Sequence, residues 1–179
     1  TERIPEQLAE AYTAALSGRP GPVFVELPFD VLFNAVEPPP IPDRVRIAPI
    51  EPEPGAITRL FELLRTAQKP IIIAGTQVYW DDASLALREL TDQTCIPVFT
   101  NGGGRGTLPM THPHCFKSAR SAALRKSDLV MLIGTPLDFR LKYGQEDWNP
   151  EAKLIQIEND PSELNHNRQA DVAMVADAR

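Results

Sequence analysis

Residues 69–76 read Lys-Pro-Ile-Ile-Ile-Ala-Gly-Thr, KPIIIAGT. Three consecutive isoleucines and an alanine make an apolar run too short for a helix. Such a run fits a strand covered on both faces, as in the middle of a parallel sheet. It stops at Gly75-Thr76, where the chain can turn and a ligand can approach the backbone. A helix beginning near Asp81 or Asp82 follows.

The same succession recurs downstream. Pro97–Thr100 reads as a strand ending in the glycine run Asn101-Gly102-Gly103-Gly104-Arg105-Gly106. Asp128–Ile133 is a strong buried strand ending in Gly134-Thr135-Pro136. Lys153–Ile157 ends in Glu158-Asn159-Asp160, and Asp171–Val175 is a last strand. Helices are expected at Glu53–Gln68 (apolar face Ile57, Leu60, Phe61, Leu64), Asp81–Gln93 (Leu85, Leu87, Leu90) and Phe116–Lys126, with a short one around Pro161–Asn165. This alternation predicts an α/β fold: a doubly wound, Rossmann-like parallel sheet of five to six strands flanked by helices.

Upstream, residues 5–17 form an amphipathic helix pattern through Leu8, Ala11, Tyr12, Ala15 and Leu16, with Gly18 placed as its C-terminal cap. A short strand is expected over Val23–Leu27. One helix and one strand close no core of their own, so residues 1–35 read as the tail of an incomplete domain. Residues 36–54 hold most of a dense proline cluster and read as an extended linker, since proline lacks an N–H and fixes φ. Residues 55–179 read as the Rossmann-like domain.

The formal net charge of -6 argues against nucleic-acid or anionic-membrane partners. No apolar run is long enough to span a bilayer, and the polar N-terminal stretch lacks a signal-peptide core, so a cytoplasmic location is expected. Cys95 and Cys115 make no disulfide framework and are expected as free thiols.

The crevice at the carboxyl ends of parallel strands is the expected ligand site. Gly102–Gly106 can turn backbone N–H groups to a phosphate, with Arg105 adding charge, but it is neither GxGxxG nor a Walker loop. Asp138 and Arg140 can meet a ribose or pyrophosphate, or simply pair with each other. Glu158 or Asp160 sits where an acid commonly holds a ribose, although Asp160 serves equally as a helix N-cap. His112, His114 and Cys115 lack further ligands for zinc, and solvent-exposed loop histidines are expected instead. Trp80 and Trp148 are expected to pack against neighbours. No catalytic set is recognisable.

Several stretches together resemble one family, the thiamine-diphosphate enzymes of the acetolactate synthase and 2-hydroxyacyl-CoA lyase type. GRPGPVFVELPFDV (18–31) looks like the end of their pyrimidine-binding domain, and AQKPIIIAG (67–75) like the start of their central domain. PVFTNGGGRGTLPMTHPHC (97–115), SDLVMLIGTPLDFRLKYG (127–144) and AKLIQIENDPSELNHNRQADVAMVAD (152–177) are similar to the units that follow.

The resemblance implies a fragment of a larger lyase or carboligase, inactive alone. Its partners would be the remaining domains of the same enzyme, in a homo-oligomer. The glutamate that activates thiamine and the metal-binding G-D-G…N motif have no counterpart here, so thiamine diphosphate and Mg2+ would bind elsewhere. The central domain of such enzymes holds FAD, or the ADP part of a nucleotide or coenzyme A. LDFR (137–140) resembles the flavin type, without its first arginine. SARSAAL (118–124) looks more like the acyl-CoA group, where Arg120 would suit an adenosine phosphate. The implied crevice is lined by Gly75, Gly102, Arg120, Gly134, Thr135, Asp138, Glu158 and Asp177. Two other readings are a stand-alone NAD-binding module of the deacetylase type and a purely structural subunit-contact domain.

Overall fold

A computed structural model describes residues 2–43 and 47–179. Part of the proline-rich stretch assigned as linker, residues 44–46, lies outside the described residues. Contacts divide the chain into two units, residues 1–48 and 49–179.

In the first unit, helix α1 (Ile4–Leu16) carries the expected pattern, yet none of its residues is buried. Gly18 sits just past it at φ +60°, the left-handed cap position. The strand expected at Val23–Leu27 is absent: the segment has no ladder partner among the described residues, and Phe24 is 88% exposed. A strand exists only through bonds to a neighbour, and this unit offers none. A short helix α2 (Phe29–Leu32) follows, closed by Phe29 packing on Phe33 at 4.5 Å.

The second unit begins with α3 (Pro54–Thr66), started by proline at its first turn. Its buried face is Ala56 and Leu60, with Ile57, Leu63 and Leu64 beside them. Phe61, expected on that face, is 55% exposed. Strand β1 (Pro70–Ala74) leads through Gly75 into α4 (Thr76–Trp80) and α5 (Ser84–Thr94). The helix expected from Asp81 starts instead at Ser84, and the short α4 before it, which Asp81 caps at its C-terminus, was not expected. Leu85 consequently points outward, 73% exposed, while Leu87 is buried.

β2 (Val98–Thr100) runs into a 3-10 turn over the glycines. The helix expected from Phe116 is a two-residue edge strand, β3 (Cys115–Phe116), followed by α6 (Arg120–Lys126). β4 (Leu129–Ile133), β5 (Lys153–Glu158) and β6 (Val172–Val175) complete the unit. The expected helix near Pro161 is only a 3-10 turn, Pro161–Glu163.

The six strands form one sheet in the order β3-β2-β1-β4-β5-β6. Every neighbouring pair is parallel, with Ile72 level with Met131 at the centre. Alternate residues of β1 and β4 face opposite sides. Ile72, Ala74, Met131 and Ile133 pack with α3 and α5. Ile71, Ile73, Val130 and Leu132 pack with Leu124 of α6 and with Leu137, Leu141 and Trp148. Burial on both faces is why these strands read as unbroken apolar runs.

The amino edge of the sheet is tied by carboxylates. Asp128 accepts the N–H groups of Gln68 (2.7 Å) and Lys69 (2.9 Å), aligning the entry of β1 with that of β4. Asp171 accepts Leu154 N–H at 2.9 Å, and Lys153 Nζ at 2.9 Å, doing the same for β5 and β6.

The carboxyl edge depends on glycines. A Cβ on Gly75 would collide with the Gly134 carbonyl oxygen and Thr135 Cβ, and a Cβ on Gly134 would strike Gln77 Cβ. Gly134 also holds φ +60°. We predict that Gly134→Ala destabilises the second unit by about 3 kcal/mol, the sum of a left-handed backbone cost and overpacking. Gly106→Ala, at a positive φ but with nothing within 4 Å, should cost clearly less. Equal losses in denaturant melts of the two variants would refute the packing argument.

Candidate ligand groove at the carboxyl edge

Strand order reverses between β1 and β4, and the two exits meet there. Gly75 N–H donates to Ile133 O (2.8 Å) and Gln77 N–H to Gly134 O (3.2 Å). Thr135 is buried, and its Oγ1 accepts Asn101 Nδ2–H at 3.0 Å. Thr76 Oγ1 accepts Gly103 N–H at 3.0 Å, fastening the glycine turn after β2. So Gly75, Gly134 and Thr135 form one packed centre, and Gly102, exposed at φ +53°, lies on its rim.

On the β2–β3 side the surface opens into a cavity of about 900 Å³. Arg105, Lys117, Arg120 and Arg125 line it, with Phe99 and Phe116 below, and no carboxylate is among its lining residues. Arg125 is engaged by Asp147 at 2.6 Å. Arg120 Nη2 donates to Arg140 O at 2.8 Å. Burial, then the neighbouring Arg105 charge, depresses the Arg120 pKa, opposed by Asp138. An added anion would relieve that repulsion. Asp138 bonds Arg140 through both its guanidinium (2.6 Å) and its N–H (2.9 Å), so the mutual pairing read from sequence is the arrangement found.

The opposite end of the edge is acidic. Glu158, at the end of β5, is 2% exposed. Asp177, two residues past β6, is largely covered and lies 3.8 Å from Arg179. Asp160 caps the 3-10 turn by accepting Ser162 N–H at 2.9 Å.

Two residues that sequence reading passed over hold this end together. Gln77 Oε1 accepts Asn159 N–H (3.0 Å), while its Nε2 donates to Ala176 O (2.9 Å) and Asp81 Oδ2 (2.7 Å). The same Asp81 oxygen accepts Ala178 N–H at 2.7 Å. Burial raises the Asp81 pKa, hydrogen bonds from Ala178 and Gln77 oppose this, and the Asp177 charge adds to it. The glutamine two positions after a glycine exit was the available signal. Without the strand order, its targets on β5 and β6 could not be known.

His112, expected in solvent, has a side chain only 6% exposed, with Nε2 bonded to Asp92 at 2.9 Å and Nδ1 accepting His114 N–H at 3.2 Å. It braces the loop before β3. Both cysteines are free, Cys115 being buried. Trp148 is buried, whereas Trp80 is 52% exposed against Tyr79.

Comparison with known proteins matches residues 57–179 to the family described as thiamine pyrophosphate enzyme, central domain. The acetolactate synthase large subunit of Mycobacterium tuberculosis is 40% identical over 137 residues, covering 75% of this chain and 25% of that protein. An acetolactate synthase of Mycobacterium bovis is 37% identical over 186 residues, 98% of this chain and 30% of that protein. Oxalyl-CoA decarboxylase of Escherichia coli is 34% identical over 179 residues, 95% and 31% respectively. The chain thus spans a quarter to a third of the relatives it matches.

Asp81 gives a signed pH test. Its raised pKa means the folded state holds the proton more tightly. That stability is complete below the ordinary carboxylate range and is lost as pH rises through the raised folded value. Asp81→Asn keeps a carbonyl acceptor and removes the charge. Relative to the unaltered protein, its melting midpoint should therefore gain as pH rises above about 4, the ordinary carboxylate value. A relative gain toward acid instead would contradict the assignment.

Proposed function

Because the chain belongs to the thiamine pyrophosphate enzymes, through their central domain, we propose that residues 55–179 are the nucleotide-gripping middle domain of a thiamine-diphosphate-dependent lyase or carboligase. Residues 1–35 are the end of its pyrimidine-binding domain and residues 36–54 the linker between them. Relatives named acetolactate synthase and oxalyl-CoA decarboxylase support the reaction class. Thiamine diphosphate supplies the carbanion chemistry in such enzymes when bound. Among the described residues no cluster of three or more His, Cys, Asp or Glu side chains can hold a metal ion, so no thiamine or magnesium step is assigned to this chain. Further domains of the same protein, in a homo-oligomer, complete the thiamine and magnesium sites.

The observation that carries the nucleotide reading is the polarity of the carboxyl edge. Arg105, Lys117 and Arg120 stand at the β2–β3 end and Glu158 and Asp177 at the β5–β6 end. A nucleotide satisfies both ends when its phosphates point toward the arginines and its sugar hydroxyls toward the acids. The exits at Gly75 and Gly134 form the floor between them. A 3′-phosphate, as in coenzyme A, would be repelled at the acidic end. The favoured ligand is therefore ADP or the ADP half of FAD.

Thermal melts of the chain with ADP, FAD and coenzyme A test this. ADP or FAD should raise the midpoint, equivalent to about 2.7 kcal/mol at a hundredfold excess over Kd. Arg120→Met should weaken that binding by roughly tenfold. A midpoint unmoved by all three ligands would overturn the reading.

A further inference from the structure

We infer that Gln77, assisted by Asp81, is the positioning residue of the groove's acidic end, setting where Glu158 and Asp177 stand for recognition of a ribose diol. The inference rests on the nucleotide reading above. Its basis is a bracketing pattern. Gln77 bonds the backbone of Asn159, directly after Glu158, and of Ala176, directly before Asp177. Asp81 bonds Ala178, directly after Asp177. Ala176 N–H returns to Glu158 O at 2.9 Å, and Asp177 N–H to Ile50 O at 3.0 Å. Asp177 is thus held through the backbone on both sides, and Glu158 through its own carbonyl and the N–H that follows it.

The clasp also reads the central crossing. Gln77 N–H is bonded to Gly134 O, and Gly134 can carry no Cβ because Gln77 Cβ occupies that space. One side chain therefore gauges the exits of β4, β5 and β6 together. Gln77 is itself 5% exposed and makes three side-chain bonds, so it has little freedom to act as a ligand contact. Its effect is exerted through the residues it holds. Removing its amide would leave the phosphate end intact, because Arg105, Lys117 and Arg120 belong to other elements. It would loosen only the spacing of the two acids. Glutamine suits the role because one amide offers an acceptor to one strand exit and donors to another.

The test is calorimetric titration of the whole chain with ADP, 2′,3′-dideoxy-ADP and inorganic pyrophosphate. The unaltered protein should prefer ADP over its dideoxy form by roughly tenfold, the value of a hydrogen bond to a charged group. Gln77→Met should bring that ratio close to unity with pyrophosphate affinity unchanged. Asp81→Leu, which removes the acceptor of Ala178 N–H and one of the three Gln77 side-chain bonds, should give an intermediate ratio and serves if Gln77→Met fails to fold. Asp81→Asn, which keeps the acceptor, should retain the full preference. A ratio unchanged in both Gln77→Met and Asp81→Leu overturns the positioning role. So does a parallel loss of ADP and pyrophosphate, and either result leaves the nucleotide reading standing. Failure of the unaltered protein to bind ADP overturns both.

Discussion

The second unit is built on the side-by-side pairing of β1 and β4. Five consecutive residues of each strand are level, from Pro70 beside Leu129 to Ala74 beside Ile133. Both strands are apolar on both faces, so every other element has somewhere to bury its own apolar side. The contact of their exits, Gly75 on Gly134 and Thr135, fixes how closely the two halves of the sheet approach. A side chain at either glycine would have to push the halves apart.

The two edges of the sheet are finished differently. At the amino edge Asp128 and Asp171 are used up on backbone N–H groups and have an architectural role. At the carboxyl edge the backbone is tied instead by Gln77, Asp81 and Thr76, with Asn101 bonding the Thr135 hydroxyl. On the proposed nucleotide reading, the basic β2–β3 end and the acidic β5–β6 end would give a bound ligand its direction.

Much of this was legible in the sequence. The continuous apolar runs at 70–74, 129–133 and 153–158 announced buried parallel strands, and the glycines after the first two announced close exits. What was not legible depends on partners distant in sequence. Val23–Leu27 has strand composition, but composition supplies no neighbour to pair with. Cys115–Phe116 is a strand only because β2 lies beside it, and two residues carry no period. Asp81 resembled a helix start because the chain turns there, and its real role, accepting Ala178 N–H, spans 97 residues. His112 was expected in solvent as a loop histidine without a ligand set, yet it bonds Asp92 on α5. Of the eight residues expected to line the crevice, Arg120 alone lines the cavity beside β2 and β3, while Gly75, Gly134 and Thr135 pack beneath the strand exits. Arg120, Glu158 and Asp177 could be placed at opposite ends only once the strand order was known.

A crystal structure of the chain grown with ADP tests most directly whether a nucleotide lies along the carboxyl edge in one direction. The account predicts the ribose over the ends of β5 and β6, near Glu158 and Asp177, with the diphosphate directed toward Gly134, Gly75 and Arg120. A ribose at the arginine-lined cavity with the phosphates toward Asp177, or ADP bound at the amino edge beside Asp128, would contradict it.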